Sequence, residues 1–303
     1  MPSSETAEIA GWENYWKESL TGSCIPEHRG LAQVLESLWN AFALNLPKKG
    51  RLLDIGTGAG AVLRLIGKER PDLKLTGVDY ASRLPAPAGR YKLKPGVRME
   101  QLPFESAAFD GVSSQFAFEY GDMDKTAGEL FRVLKPQGLV QLVVHCSDGP
   151  VLAQNRSRRD ALHWAVVESG LFEQAANFAK ARKLLRIGPP ATFREAPMLA
   201  ARRFPGQSAA AEVLAGLHGI LIEHDRQSGD EISAGVNWLR ARAMGEIATL
   251  TALQRAAQDE GGIEFLADLL RSAGFRIEPP AAVNDNSSGA PFAWIVRGAK
   301  ITT

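Results

Sequence analysis

The residues best suited to chemistry cluster at the end of one short apolar run, Leu52-Leu53-Asp54-Ile55-Gly56-Thr57-Gly58-Ala59-Gly60. Glycine, having no Cβ, takes left-handed backbone angles freely and lets the main chain approach a ligand closely. A helix opening just beyond such a loop presents unpaired N–H groups and a positive dipole end, which favours a carboxylate or phosphate. Asp79, nineteen residues after Gly60, ends the next apolar run. A doubly wound sheet places an acid there to accept hydrogen bonds from ribose hydroxyls. Two ligand classes meet this pattern. Read as G-x-G-x-x-A through Ala61, the loop suits a dinucleotide; read as D-x-G-x-G-x-G, it suits S-adenosylmethionine. Asp54 discriminates, because a carboxylate beside the loop repels a pyrophosphate but attracts an ammonium and a sulfonium. Tyr15, Tyr80, Tyr91 and Tyr120 all lack a lysine four residues on, so no Tyr-x-x-x-Lys pair is present for hydride chemistry. The residues favour a methyl donor over the cofactor of an NAD-dependent oxidoreductase.

Several elements must hold these groups in place. Residues from about Trp12 to Leu46 read as helical, with Leu31, Val34, Leu35, Leu38 and Trp39 recurring at steps of three and four. Pro47-Lys48-Lys49-Gly50 breaks that pattern ahead of a strand Arg51–Ile55. Then come a helix Ala61–Lys68, a strand Leu73–Val78, a third strand between Val97 and Leu102, and a fourth over Phe109–Phe116. A helix Asp124–Leu134 and a fifth strand Leu139–His145 complete this half. From Pro150 to about Asp259 the chain is rich in Ala, Leu, Arg and Glu at helical spacing, divided at Pro189-Pro190 and Pro205-Gly206. A helix Glu264–Ala273, a capping Gly274, a strand Phe275–Glu278, a loop Asn284–Ala290 and a last strand Phe292–Arg297 follow. The fold class expected is α/β, a mostly parallel sheet covered on both faces. The expected domains are an N-terminal helical lid (1–46), a core (47–149 and 262–303) and a helical insertion or cap (150–261).

Composition narrows the function classes. Of 303 residues 45% are hydrophobic and 23% charged, ample for a packed core, so wholesale disorder is excluded. Lys+Arg 35 against Asp+Glu 34 gives +1, which removes a global electrostatic case for nucleic acid or an anionic membrane. Two cysteines, Cys24 and Cys146, cannot build a disulfide framework or a four-thiolate zinc site. The N-terminus is polar and acidic, unlike a secretory signal, and the apolar stretches fall short of the roughly 20 residues that cross a bilayer. A cytoplasmic protein is expected.

In the order and spacing of its blocks the sequence resembles the class I S-adenosylmethionine-dependent methyltransferases acting on small molecules. Beside the glycine loop, Leu102-Pro103-Phe104 followed by Phe109-Asp110-Gly111-Val112 is similar to that group's L-P-F…F-D-x-V block. Val133-Leu134-Lys135-Pro136-Gln137-Gly138 is similar to its L-K-P-G-G turn, with Gln137 replacing the first glycine. The resemblance covers Pro47–His145 and Glu264–Lys300 and implies a Rossmann-like sheet closed by a terminal antiparallel hairpin, with S-adenosyl-L-methionine as co-substrate. It implies that Gly56, Gly58 and Gly60 wrap the methionine moiety, that Asp54 lies near its amino group, and that Asp79 holds the ribose. Tyr80 would lie against the adenine, with Met99 and Glu100 at its edge. Where many members carry an Asp four residues before the L-P-F leucine, this chain has Arg98, and Glu100 is the substitute on the same face of a strand.

Methyl transfer from a sulfonium is an in-line displacement that needs alignment, exclusion of water, and a base only when the acceptor must lose a proton. Groups beyond the fourth and fifth strands are the candidates: Glu119 as base or orienting acid, and His145 as base. Their structural alternatives are a helix-capping acid and a satisfied core histidine. Cys146 reads as inert packing. Tyr15 and Trp16 are candidates for an aromatic lid, although Trp12, Trp16 and Trp39 suit a core equally well. Between Val151 and Pro205 ten basic residues face four acids; from Gly206 to Glu264 nine acids face four arginines. Solvated helix faces pairing with one another account for this split, and a basic cap over an acidic acceptor is the sharper account. No histidine spacing resembles a metal site; His218 and His224 are six apart. The function expected is methyl transfer to a small-molecule O, N or C acceptor held under the insertion, with no nucleic-acid or membrane partner and a possible homodimer through the insertion. A non-catalytic S-adenosylmethionine-binding interaction protein is the alternative.

Overall fold

Strand β1 (Arg51–Ile55) is buried at every residue after Arg51, as the run Leu-Leu-Asp-Ile requires of a strand covered on both faces. The computed structural model in which it lies describes residues 29–182, 188–223 and 227–301. Glu69 ends helix α2 (Ala61–Glu69), and β2 (Lys74–Val78) returns parallel to β1, with Asp54 opposite Gly77. β4 (Phe109–Gln115), helix α3 (Met123–Val133) and β5 (Leu134–His145) repeat the unit on the other side. Asp122 caps α3 by accepting from Lys125 N.

The third strand lies earlier in the chain than expected. β3 is Tyr91–Lys94, paired parallel with β2, whereas Val97–Leu102 forms turns tied down by bonds from Val97 N to Asp79 O and from Leu102 N to the Glu129 carboxylate. The tetrapeptide Tyr91-Lys92-Leu93-Lys94 alternates apolar and polar side chains, the signature of an edge strand with one covered face. Val97-Arg98-Met99-Glu100 alternates in the same way, so the alternation does not separate the two segments; the tertiary bonds do.

The eight-stranded sheet runs β3-β2-β1-β4-β5-β8-β6, with β7 also on β8. β8 (Pro291–Lys300) is antiparallel to β5, and its far edge is shared by β6 (Phe275–Ile277) and β7 (Ala281–Asn284), interrupted at Pro279-Pro280. The sheet is therefore mostly parallel with an antiparallel end, as the family resemblance implied. Helix α1 (Arg29–Leu44) and α2 cover one face through Leu31, Leu35, Trp39, Phe42, Leu63 and Ile66. α3 and α9 (Glu260–Ser272) cover the other through Leu130, Leu266 and Leu270. Trp39 is wholly buried and its indole N–H donates to Gln115 Oε1 at 2.7 Å, which makes it a core anchor. Trp12, Tyr15 and Trp16 lie outside the described residues.

The chain divides into two compact units, and the sheet belongs to the one formed by 29–152 and 253–301. The other, Ala153–Ala252, is helical throughout its described residues. It comprises most of α4 (Pro150–His163), a π turn Trp164–Glu168, α5 (Leu171–Arg182), α6 (Thr192–Arg203), α7 (Ala209–Ile222) and most of α8 (Gly229–Ala256). Its own core gathers Phe172, Phe178, Phe193, Leu214, Leu217 and Ile232. Arg158, from the basic stretch, pairs with Glu246 from the acidic one, an instance of helix faces pairing with each other. No helix is long and apolar enough to cross a membrane among the described residues.

Candidate functional site

In a parallel sheet all strand C-termini share one edge, and here the order reverses between β1 and β4, where α/β proteins open a ligand crevice. The glycine loop occupies that point. Gly56, Gly58 and Gly60 have φ of 62°, 50° and 80°, a region that side chains other than glycine enter at a cost. Gly60 caps α2, whose N-terminus faces the loop. A Cβ on Gly56 would fall 2.1 Å from that of Ala117, just past β4, so the loop lies directly against the exit of that strand. A Cβ on Gly60 would fall 2.7 Å from the Tyr91 ring. The sequence marked all three glycines; it gave no sign that Tyr91, on the strand not foreseen, closes the loop from the side.

Two carboxylates flank this loop, Asp54 buried and Asp79 half-buried. Asp54 Oδ1 accepts from the Ser113 hydroxyl on β4 at 2.7 Å. Burial pushes its pKa up to about 7, against the lowering effect of that hydrogen bond. Asp79 accepts from Gly58 N at 2.8 Å and Ala81 N at 2.9 Å, and burial raises its pKa as well. Neither is paired with a cation among the described residues, and the charge of Asp79 raises Asp54 further. Uncompensated buried carboxylates are costly, and a bound cation repays that cost. The chemistry of this donor set, carboxylates beside a helix-opening glycine loop, fits a ligand carrying positive charge, a carboxylate and vicinal hydroxyls.

Tyr80 follows Asp79 and is 41% exposed. The Arg98 guanidinium lies over its ring, 4.9 Å from the centroid. Glu100 does not act as a strand residue, because its segment is a turn: Oε1 accepts from Asp122 N at 3.0 Å and Oε2 faces Arg98 Nε at 3.6 Å. Met99 packs beside Gly121. Tyr80 is thus next to Asp79 in the chain, and Met99 and Glu100 lie on the segment that Asp79 O anchors at Val97 N.

Glu119, just past β4, and His145, the last residue of β5, come together. Glu119 lies in a 3₁₀ turn, Phe118–Tyr120, and its Oε1 accepts from His145 N (3.0 Å) and lies within hydrogen-bond distance, 2.8 Å, of His145 Nδ1. The Glu119 side chain is fully buried and its Oε2 has no hydrogen-bond partner. Phe116, whose φ of 56° strains a bulky residue, places its ring 4.3 Å from the imidazole, and Tyr120 meets it edge-on at 5.9 Å. Neither aromatic was singled out in the sequence. Cys146 next door is buried, with its thiol pKa pushed up by burial. Among the described residues no group of three His, Cys, Asp or Glu is arranged to hold a metal ion.

Known proteins place this geometry in a family. A demethylmenaquinone methyltransferase of Thermus thermophilus is 34% identical over 113 residues, 33% of this chain and 50% of that protein. One from Thermotoga maritima is 34% identical over 121 residues, 37% of this chain and 52% of the relative. The chain spans about half the length of these curated relatives. Among solved structures, the 1,6-didemethyltoxoflavin-N1-methyltransferase of Burkholderia thailandensis, with 1,6-didemethyltoxoflavin and S-adenosylhomocysteine bound, is similar at TM-score 0.48 and 12% identity, over 98% of this chain and 89% of that one. The family model described as a methyltransferase domain matches residues 27–187, more than half of the sequence, and the chain belongs to that family.

Proposed function

We infer that the protein transfers the methyl group of S-adenosylmethionine to a small-molecule oxygen, nitrogen or carbon acceptor. The observation that carries this reading is a pair of carboxylates, buried Asp54 and half-buried Asp79, unpaired with any cation among the described residues, around a helix-opening loop of left-handed glycines. When bound, S-adenosylmethionine supplies a methyl group on a positively charged sulfur. In this reading Gly56, Gly58 and Gly60 bring the backbone against the methionine part, and Asp54 offsets its ammonium. Asp79 accepts from the ribose on the lone pairs that Gly58 N and Ala81 N leave free. Tyr80 lies against the adenine, with Met99 and Glu100 at its edge. Relatives named demethylmenaquinone methyltransferases support a small organic acceptor.

Calorimetry with S-adenosylhomocysteine, on protein stripped of bound metabolites, tests this reading. Binding is expected, and at a hundred times Kd the ligand adds about 2.7 kcal/mol of stability, a melting shift that NAD does not reproduce. Release of S-adenosylhomocysteine from the donor in the presence of an acceptor panel reports transfer. No affinity for either nucleoside rejects the assignment, and binding without turnover on any acceptor favours a non-catalytic binding protein.

A further inference from the structure

The Glu119–His145 pair is more than its hydrogen bond requires. Glu119 is fully buried, yet among the described residues it is opposed by no Lys or Arg and its Oε2 has no hydrogen-bond partner. An ionised carboxylate only accepts hydrogen bonds, so with Glu119 ionised the 2.8 Å contact to Nδ1 requires a proton on that nitrogen. The second acceptance, from the backbone N–H of His145 itself, fixes the carboxylate against the ring it orients. Nε2 is then the bare nitrogen, and no hydrogen bond engages it among the described residues. Phe116 and Tyr120 enclose the imidazole with apolar rings, and Ala117, between Phe116 and Glu119, touches the glycine loop at Gly56. A base with its tautomer set and beside the donor loop is suited to one task. It removes a proton as the acceptor atom is alkylated.

We propose that His145 is the general base of this site, oriented by Glu119 as a positioning residue, and that the acceptor is therefore protic, a phenol, hydroquinone or enol. This rests on the methyl-transfer reading above. In the step, the acceptor oxygen or carbon forms a bond to the methyl carbon while the carbon–sulfur bond breaks and its electron pair stays on sulfur. The acceptor proton passes to His145 Nε2, Glu119 stabilises the imidazolium, and the proton leaves to solvent.

The test uses the full chain with hydroquinone, catechol and acetylacetone as protic probes, and dimethyl sulfide and N,N-dimethylaniline as aprotic ones. Nitrogen NMR of the histidine ring is expected to give Nδ1 protonated and Nε2 bare. Wild type is expected to methylate at least one protic probe. His145→Ala should lose about 100-fold or more in kcat/KM on it, and free imidazole should restore part of that rate. Glu119→Gln, nearly isosteric, should lower kcat with little change in KM, because the amide no longer enforces the tautomer. Both variants should keep S-adenosylhomocysteine affinity within about threefold, since neither group contacts the donor loop except through Ala117. Methylation confined to aprotic probes, no methylation of any probe, an Nε2-protonated ring, or a His145→Ala variant of unchanged kcat/KM each overturns the proposal. Loss of nucleoside binding by the wild type is a separate failure, that of the methyl-transfer reading itself.

Discussion

Asp79 spends two of its lone pairs on Gly58 N and Ala81 N, so one side chain both shapes the loop and faces the ligand crevice. Asp79→Ala is expected to weaken S-adenosylhomocysteine binding by roughly 1.5–3 kcal/mol, about 10- to 150-fold, the range for a charge-assisted hydrogen bond. Calorimetry returning wild-type affinity would reject the ribose placement. At this scale the sequence was informative wherever backbone geometry dictates residue type. Three positions with positive φ are glycines, and their spacing was visible without coordinates. Gln137 is the counter-example: it stands where the resembled turn has glycine and adopts φ 64° regardless. Ser113 was invisible, because nothing in the linear chain reveals that β4 sets it opposite Asp54.

Among the elements, strands buried on both faces were legible and the edge strand was not. β1 is a short apolar run after a turn, which needs no partner to recognise, whereas β4 is mixed in character and was marked by its Phe109-Asp110-Gly111-Val112 block. β3 is only four residues long, and its alternation loses to the longer stretch Val97–Leu102 when length alone is weighed. What keeps that stretch in turns is a tertiary latch. Arg132 on α3 donates to the carbonyls of Leu102 (2.9 Å) and Phe104 (2.6 Å), while Glu129 pairs with Arg132 and accepts from Leu102 N. Arg132→Ala removes the guanidinium from two carbonyls and one carboxylate, and leaves the Phe104 carbonyl without the donor that Arg132 supplied. The variant is expected to lose about 1.5–3 kcal/mol in denaturant unfolding. The amides of Leu102 and Phe104 should exchange faster in it, and exchange as slow as in wild type would show that the latch is not what holds the L-P-F segment.

For the whole molecule, the buried acids set a pH dependence that net charge, at +1, does not suggest. Asp72 beside Arg70 and Glu129 beside Arg132 sit below the ordinary carboxylate range. Their stabilisation is present above their unfolded pKa values and is lost only in acid. Asp54 has the opposite sign. Its pKa rises from 3.8 unfolded to about 7 folded, so between those values the native state holds a proton that the unfolded chain releases. Stability from this group is therefore full below about pH 4 and declines as pH climbs toward 7, by about 1.4 kcal/mol per unit and on the order of 4 kcal/mol in all. Asp79, also raised, adds to the decline. Urea unfolding of the ligand-free protein from about pH 4.5 to 7.5 should show wild type losing stability relative to Asp54→Asn, which carries no titrating group there. A difference constant with pH would mean that Asp54 is not an uncompensated buried acid. With S-adenosylmethionine saturating, the cation near Asp54 should pull its pKa down. The decline should then flatten, and donor binding near neutral pH should release a proton that calorimetry detects as a dependence on buffer ionisation heat.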